Sequence, residues 1–382
     1  MLKRYRLPLK AMNLNFYSTG VGMLTFYLCN DSYSDFEDIL AINQYGRRIF
    51  PPFFGDIKVR SQIAECISLE GLAGDSNRYR EDFAQYTVQD AWKPARFIQS
   101  LIADYQPSLR TQPIIDDRMF VSCWYANQQM ADQITSLPDS PERFSHSLDW
   151  YRYIYVDADD PTCQHERMRQ ELVGRDTYFR WANYGTLYGI TRYSFMLLTG
   201  ESDFSESVLA KHLQTIYTRM VEFVLIQKMS ILKFSEAVTD VSNLRGKSNI
   251  IAERIGSLYK EYIRFMNQYY FKEVSAQDQG IELYTLLEER LEIEACAKDL
   301  DEEIGELHGY VSLMIDGERN QKADWLNIIA ALVLPPTVIT GLFGMNTLND
   351  TAFTADFYCQ SGLIILITYL CYLLVKKKIW MR

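Results

Sequence analysis

Two periodicities divide this chain. Over residues 1–200, runs of aromatic and β-branched residues alternate with runs whose apolar positions recur at three and four. Residues 22–29, 119–125, 149–156 and 187–198 have the first character and predict strands. Residues 36–45 and 95–105 have the second and predict helices. Pro51-Pro52, Pro107 and the run Pro138-Asp-Ser-Pro141 mark loops. The pattern predicts an α/β (α+β) domain with a largely antiparallel or mixed sheet. Beyond it the period becomes helical over residues 205–241, with Ser205 or Ser207 as N-cap. The run Arg245-Gly246-Lys247-Ser248 breaks that helix, and a second spans residues 249–271. A third begins near Ala276 and is expected to continue into a membrane-spanning segment.

The third helix carries an apolar seam. Leu283, Leu286, Arg290, Ile293, Ala297, Leu300, Ile304, Leu307, Val311 and Met314 follow alternating steps of three and four, and only Arg290 is polar. That pattern predicts a coiled coil. Gly305, Gly309 and Gly317 mark bends. The same helix is acidic. Residues 281–318 hold twelve acids against Arg290 and Lys298, a net −10 that equals the formal charge of the whole chain. Such a run is either a solvated face or a funnel that concentrates cations.

Two hydrophobic segments follow, residues 325–343 and 357–375, each within the ~17–25 residues that a membrane-spanning helix needs. Arg319 and Lys322 precede the first, Lys376, Lys377 and Lys378 follow the second, and residues 345–358 contain no Lys or Arg. By the positive-inside rule both termini are then cytoplasmic. A stripe in three- and four-residue steps, Asn320, Asp324, Asn327, Ala331, Leu334, Thr337 and Gly341, carries polar groups into the first segment, and Pro335-Pro336 interrupts its hydrogen-bond ladder.

A net charge of −10 excludes general nucleic-acid binding. The seven cysteines have no metal-ligand spacing and read as reduced thiols. The four histidines stand in no triad, and there is no phosphate-binding glycine loop. An enzyme is therefore not expected.

The tripeptide Gly344-Met345-Asn346 between the hydrophobic segments, the acidic stalk before them and the basic tail after them resemble the CorA-type magnesium transporter family. The resemblance covers residues 276–382 well and the rest in layout. It implies a homo-pentameric channel in the inner (plasma) membrane, multi-pass, partnered by the lipid bilayer and by divalent cations. Asn346 would be the metal-binding selectivity residue within Gly344-Met345-Asn346. Asn320, Asn327, Leu334, Thr337 and Gly341 would line or gate the pore, and Lys376, Lys377 and Lys378 would form a basic collar. Mg²⁺ would be the cofactor, transported or regulatory. The loop after the tripeptide departs from the family's acidic turn, so outer cation attraction would pass to Asp350 or Asp356. The expected organisation is a cytosolic α/β domain over residues 1–204, a helical hairpin over 205–275, an acidic stalk over 276–324 and a transmembrane hairpin over 325–382.

One cluster lies outside that resemblance. Arg152, Arg180, Trp181, Tyr184, Arg192 and Tyr193 combine guanidinia with aromatic faces. Such groups hold a nucleotide through phosphate bonding and base stacking, or brace strands through cation–π contacts. Some CorA-like proteins are membrane effectors of type III CRISPR defence. A pore gated by an adenine-nucleotide-derived messenger is therefore the alternative function, and a membrane-anchored scaffold is a third.

Overall fold

The structure, a computed structural model, describes residues 3–49, 64–72, 76–83, 94–109, 111–115, 118–136, 144–243, 248–271, 274–344, 359, 362–370 and 372–373. Its strands are β1 (Leu9–Phe16), β2 (Gly22–Leu28), β3 (Cys66–Ser68), β4 (Arg80–Asp82), β5 (Val121–Ala126), β6 (Thr177–Tyr178), β7 (Leu187–Ile190) and β8 (Ser194–Thr199). The first five helices are α1 (Phe36–Gly46), α2 (Arg96–Tyr105), α3 (Gln128–Ser136), α4 (Leu148–Tyr155) and α5 (Glu166–Asp176). The short α6 (Ala210–His212) lies between π-helical turns at Ser205–Leu209 and Leu213–Tyr217. Then come α7 (Thr218–Ser242), α8 (Ser248–Tyr269), α9 (Asp278–Arg290) and α10 (Ile293–Gly344). The chain divides into two compact units, residues 1–240 with 258–304, and residues 241–257 with 305–382.

In the first unit, β5, β8, β7 and β6 form a mixed sheet in that order. Strand β5 runs parallel to β8, and the other neighbours are antiparallel. The stretch 187–198, which reads as one strand, is the β7–β8 hairpin. It turns at Arg192-Tyr193, where Thr191 N–H donates to Ser194 O at 3.0 Å. Residues 149–156 are not a strand but the helix α4. Ser147 caps it, its hydroxyl accepting from Trp150 N at 3.2 Å. Trp150, Tyr153 and Ile154 then fall at i, i+3 and i+4, all fully buried. The cap and the helical spacing outweigh the strand propensity of the aromatic residues.

Helix α4 packs on the sheet in a core shared with Leu187, Met196 and Leu198. Gly189 makes this approach feasible. A Cβ there would lie 2.1 Å from Ile154 Cγ2 and 3.3 Å from Trp150 Cζ2. The helix ends at Val156, a left-handed residue with φ 54° and ψ 52° that is buried despite its β-branch. That conformation costs about 1–3 kcal/mol in a non-glycine residue.

The helices begin one turn earlier than the serine pattern suggests, because Ser202 Oγ accepts from Ser205 N at 3.1 Å and acts as the cap. The third helix is two helices. Leu291 closes α9, and Glu292, at φ 54°, turns the chain before α10. The apolar seam is covered within this chain, since Leu283, Ile293, Ala297, Leu300 and Ile304 are all buried. α7 and α8 supply the neighbours. Phe234 packs on Tyr262 and Phe265 at ring separations of 6.0 and 5.5 Å. Tyr262 OH donates to Asp301 at 3.0 Å, and Ser235 Oγ to Glu303 at 3.3 Å. A seam already buried this way needs no second copy of the chain.

Arg290, the polar exception on that seam, reaches Asp176. The Asp176 carboxylate is 1% exposed and ends α5. It accepts from Arg175 Nε at 2.7 Å, Arg175 Nη2 at 2.9 Å and Tyr155 OH at 2.5 Å. Arg290 Nε lies 2.9 Å from Asp176 Oδ1, though that N–H is not aligned as a hydrogen bond. The contact is thus an ion pair, supported by Arg290 Nη2 donating to Arg175 O at 2.9 Å. Burial, with the nearby Asp176 charge, raises the Tyr155 phenol well above its ordinary range.

In the second unit, α10 from Gly305 onward exposes Tyr310, Leu313, Trp325, Leu326, Ile329, Val333, Leu334 and Val338. Among the described residues, however, no helix is long and apolar enough to cross a membrane. The two expected spans are therefore corrected. With them fall the multi-pass plasma-membrane placement, the bilayer as partner, the pentameric pore conducting divalent cations, and the messenger-gated and scaffold alternatives that share the hairpin. The mixed α/β domain and the long C-terminal helices are what the structure supports.

Two substitutions test this packing. Asp176→Ala strands Arg290 beside the core and is expected to lower the unfolding free energy by about 3–5 kcal/mol. A denaturant midpoint equal to wild type would exclude that role. Gly189→Ala forces Ile154 aside and is expected to cost about 1–3 kcal/mol by the same measurement.

Candidate functional site: the arginine–aromatic cluster and the acidic helix

The arginines of the sequence cluster do not converge on one pocket. Arg152, on α4, points to α1. Its Nη1 and Nη2 donate to the two carboxylate oxygens of Glu37, each at 2.7 Å, and Nη2 also reaches Ala158 O at 2.5 Å. Phe36 lies under the guanidinium, 6.0 Å from ring centre to Cζ. The left-handed turn at Val156 brings Ala158 to this place, and Asp157 fixes the loop by accepting from Thr162 N at 2.7 Å. An open hollow beside Arg152 is lined by Leu148, Ala158, Asp159, Asp160 and Pro161. Its two aspartates, together with Glu37, oppose a phosphate there.

Arg180 and Arg192 instead strap α9 to the sheet. Arg180 Nη1 donates to Glu282 at 2.8 Å, and Tyr178 OH donates to the same carboxylate. Arg192 pairs with Glu292, just past the far end of α9. With Arg290 on Asp176, three arginine–carboxylate pairs hold one 13-residue helix. Trp181 joins the same strap. Its Nε1 donates to Gln279 Oε1 at 3.0 Å, and Gln279 Nε2 donates to Tyr188 OH at 3.1 Å and Tyr217 OH at 2.8 Å. Arg180 stands 5.8 Å over the Trp181 ring. Tyr193 lies beneath Arg47 and Arg118, at 5.7 and 5.5 Å. Tyr184, 77% exposed, has its ring 6.3 Å from Trp181. The arrangement braces helices against the sheet, and its guanidinia already hold carboxylates. The partners Glu37, Glu282, Glu292 and Asp176 were not legible as a set. The signal that points to one of them is the lone Arg290 on an apolar seam.

Hydrogen bonding from Arg152 holds the Glu37 carboxyl below its ordinary range. Tyr178 and then Arg180 do the same for Glu282.

The residues named as pore-lining sit on α10. Asn320, Asn327, Leu334 and Thr337 are exposed, and Thr337 Oγ1 donates to Val333 O of its own helix at 2.6 Å. At about 100° per residue, Asn320, Asn327, Leu334 and Gly341 share one face. Gly344 is the last residue of α10. Met345, Asn346, Lys376, Lys377 and Lys378 lie outside the described residues.

The acids of α10 have two roles, and Glu303 has both. Asp301 and Glu303 accept from α8 and α7, as above. Asp299, Glu302 and Glu303 form an exposed stripe at i, i+3 and i+4, and Lys298 lies 3.9 Å from Glu302. Among the described residues no three His, Cys, Asp or Glu side chains converge to hold a metal. Any cation here would meet one or two carboxylates and keep its waters, a mode that suits Mg²⁺.

Arg152→Ala is expected to lower stability by about 1–3 kcal/mol, towards the lower end because Glu37 is open to water. Thermal melts are the check, and an unchanged melting temperature would free Arg152 from a bracing role. The pH dependence has a definite sign. Glu37 and Glu282 are depressed in the folded state. Their contribution is complete above the unfolded value near ~4.3 and is lost as pH falls through the folded values. In Arg152→Ala the acid-side loss of stability should shrink.

The family model described as CorA-like Mg2+ transporter protein matches residues 195–377. That family is one of transporters, not enzymes. No curated protein matches the chain. The matched region begins in β8 and takes in α7 to α10. From residue 195 to residue 377, this chain carries a CorA-type Mg²⁺ transporter domain match.

Proposed function

We propose that the helical region of this protein is a Mg²⁺-responsive module, in which the ion acts as a regulator on the acidic stripe of α10. The observation that carries this reading is the family match, because residues 195–377 include that stripe. Charge supports it. Like charges at i, i+3 and i+4 oppose a helix by about 0.2–0.5 kcal/mol per pair. Asp299, Glu302 and Glu303 place two such pairs, 299 with 302 and 299 with 303, on a solvent-facing surface. A hydrated divalent ion seated on one or two of these carboxylates relieves the repulsion, and so binds the folded helix better than the unfolded chain. The buried face of the same turns, Ala297, Leu300 and Ile304, passes that stabilisation to the packing of α7 and α8.

The test is a melting temperature measured against MgCl₂, with NaCl at equal ionic strength as control. Mg²⁺ is expected to raise it saturably beyond the control, and Asp299→Asn with Glu303→Gln is expected to abolish the excess. Equal curves for the two salts would refute the proposal.

A further inference from the structure

Helix α7 passes α10 where the side chains of Lys228 and Cys296 meet. Lys228 Nζ donates to Cys296 Sγ at 2.9 Å. Among the described residues this thiol is the hydrogen-bond partner that Lys228 has. Both residues are half-buried. Cys296 is a free thiol of intermediate exposure, within reach of a small oxidant. Each is held by its neighbours. Gln227 and Ser230 flank Lys228 and are fully buried, and Ile293 and Ala297 anchor the turn that carries Cys296. Amine and sulfur are therefore kept in contact by two packed helices.

A reduced thiol and an amine do not react with each other. A sulfenic acid is different, because its sulfur is electrophilic and condenses with a nitrogen or a second thiol. A nucleophile already in contact has a large advantage over one arriving from solution. We propose that Lys228 and Cys296 are a peroxide-sensitive modification site, which closes to a covalent sulfur–nitrogen cross-link between α7 and α10. A hydroperoxide oxidises the sulfur by two electrons, giving Cys–SOH and, from hydrogen peroxide, water. The Lys228 ammonium releases a proton to solvent, and the neutral amine attacks the sulfur. The S–N bond forms, the S–O bond breaks, and hydroxide leaves as water with a proton from the nitrogen. The closed pair has lost two hydrogens relative to its reduced state. A thiol reductant reverses the change, attacking the sulfur and returning the nitrogen as an amine.

The competing account is that the ammonium only satisfies a hydrogen bond. Peptide mapping of the full-length protein after hydrogen peroxide, without reductant, separates the two. The expected product is one peptide pair joined through Lys228 and Cys296, two hydrogen masses below the sum of its parts. It should be uncleaved by trypsin at Lys228 and restored by dithiothreitol. In Lys228→Arg, which keeps the charge and the donor, no joined pair is expected. Dimedone should then trap Cys296 sulfenic acid several-fold more than in wild type. Equal trapping in both proteins without a joined pair would overturn the proposal. So would a Cys296 that stays reduced while the exposed Cys359 is oxidised. The wild-type map alone decides the matter if the variant does not fold.

Discussion

The buried carboxylate of Asp176 is the constraint around which the first unit is arranged. Taking a charge out of water is unfavourable unless paired groups surround it. Here the surroundings come from three elements. Arg175 stands beside it on α5, Tyr155 comes from the end of α4, and Arg290 from the end of α9. Each of those elements must therefore end where it does. Helix α9 ends at Arg290 with Leu291 as its cap, and the chain turns at Glu292 through a backbone conformation rare outside glycine. The turn puts Glu292 within reach of Arg192 and starts α10 with Ile293 buried. One ion pair thus sets both the end of one helix and the phase of the next.

Much of this fold is readable from the residues, and the failures have physical causes. β2, β5, α1 and α2 follow from local pattern, aromatic and β-branched runs for the strands and apolar positions at steps of three and four for the helices. α4 is misread because Trp150, Tyr151 and Tyr153 favour strands, while the information that decides is the single hydroxyl of Ser147. The β7–β8 turn is hidden because Arg192-Tyr193 is not a turn-favouring pair; Thr191 and Ser194 close it with their own hydroxyls, 2.8 Å apart. The seam on α9 and α10 is legible as a seam. Its partner is not, since a heptad covered by α7 and α8 looks the same as one covered by another chain. The arginine cluster is legible as chemistry, but its carboxylate partners lie about a hundred positions away. Nothing local marks Glu282 and Glu292 as partners among the many acids of that region.

Those acids do different work. Asp176, Glu282 and Glu292 carry guanidinium partners and act as fasteners. Asp301 and Glu303 accept from hydroxyls of neighbouring helices and set packing distances. Asp299 has no basic partner among the contacts described above, and it faces water. A net charge of −10 over residues 281–318 is consequently not one uniform field. Part of it is neutralised within the fold, and the remainder is concentrated on the solvent side of α10. A cation arriving at this helix meets only that remainder.

The straps on α9 also order events during synthesis. Arg180 and Glu282 are separated by 102 positions, Arg192 and Glu292 by 100, and Arg175 and Arg290 by 115. At ~5–20 residues per second the sheet waits about 5–20 s on the ribosome before α9 exists to be strapped. During that interval Asp176 has Arg175 and Tyr155 but not Arg290, and the surface that will receive α9 stays open. The four-stranded sheet is therefore completed by a helix made long after its strands. A nascent chain stalled before Arg290 would present a sheet with its last ion pair missing.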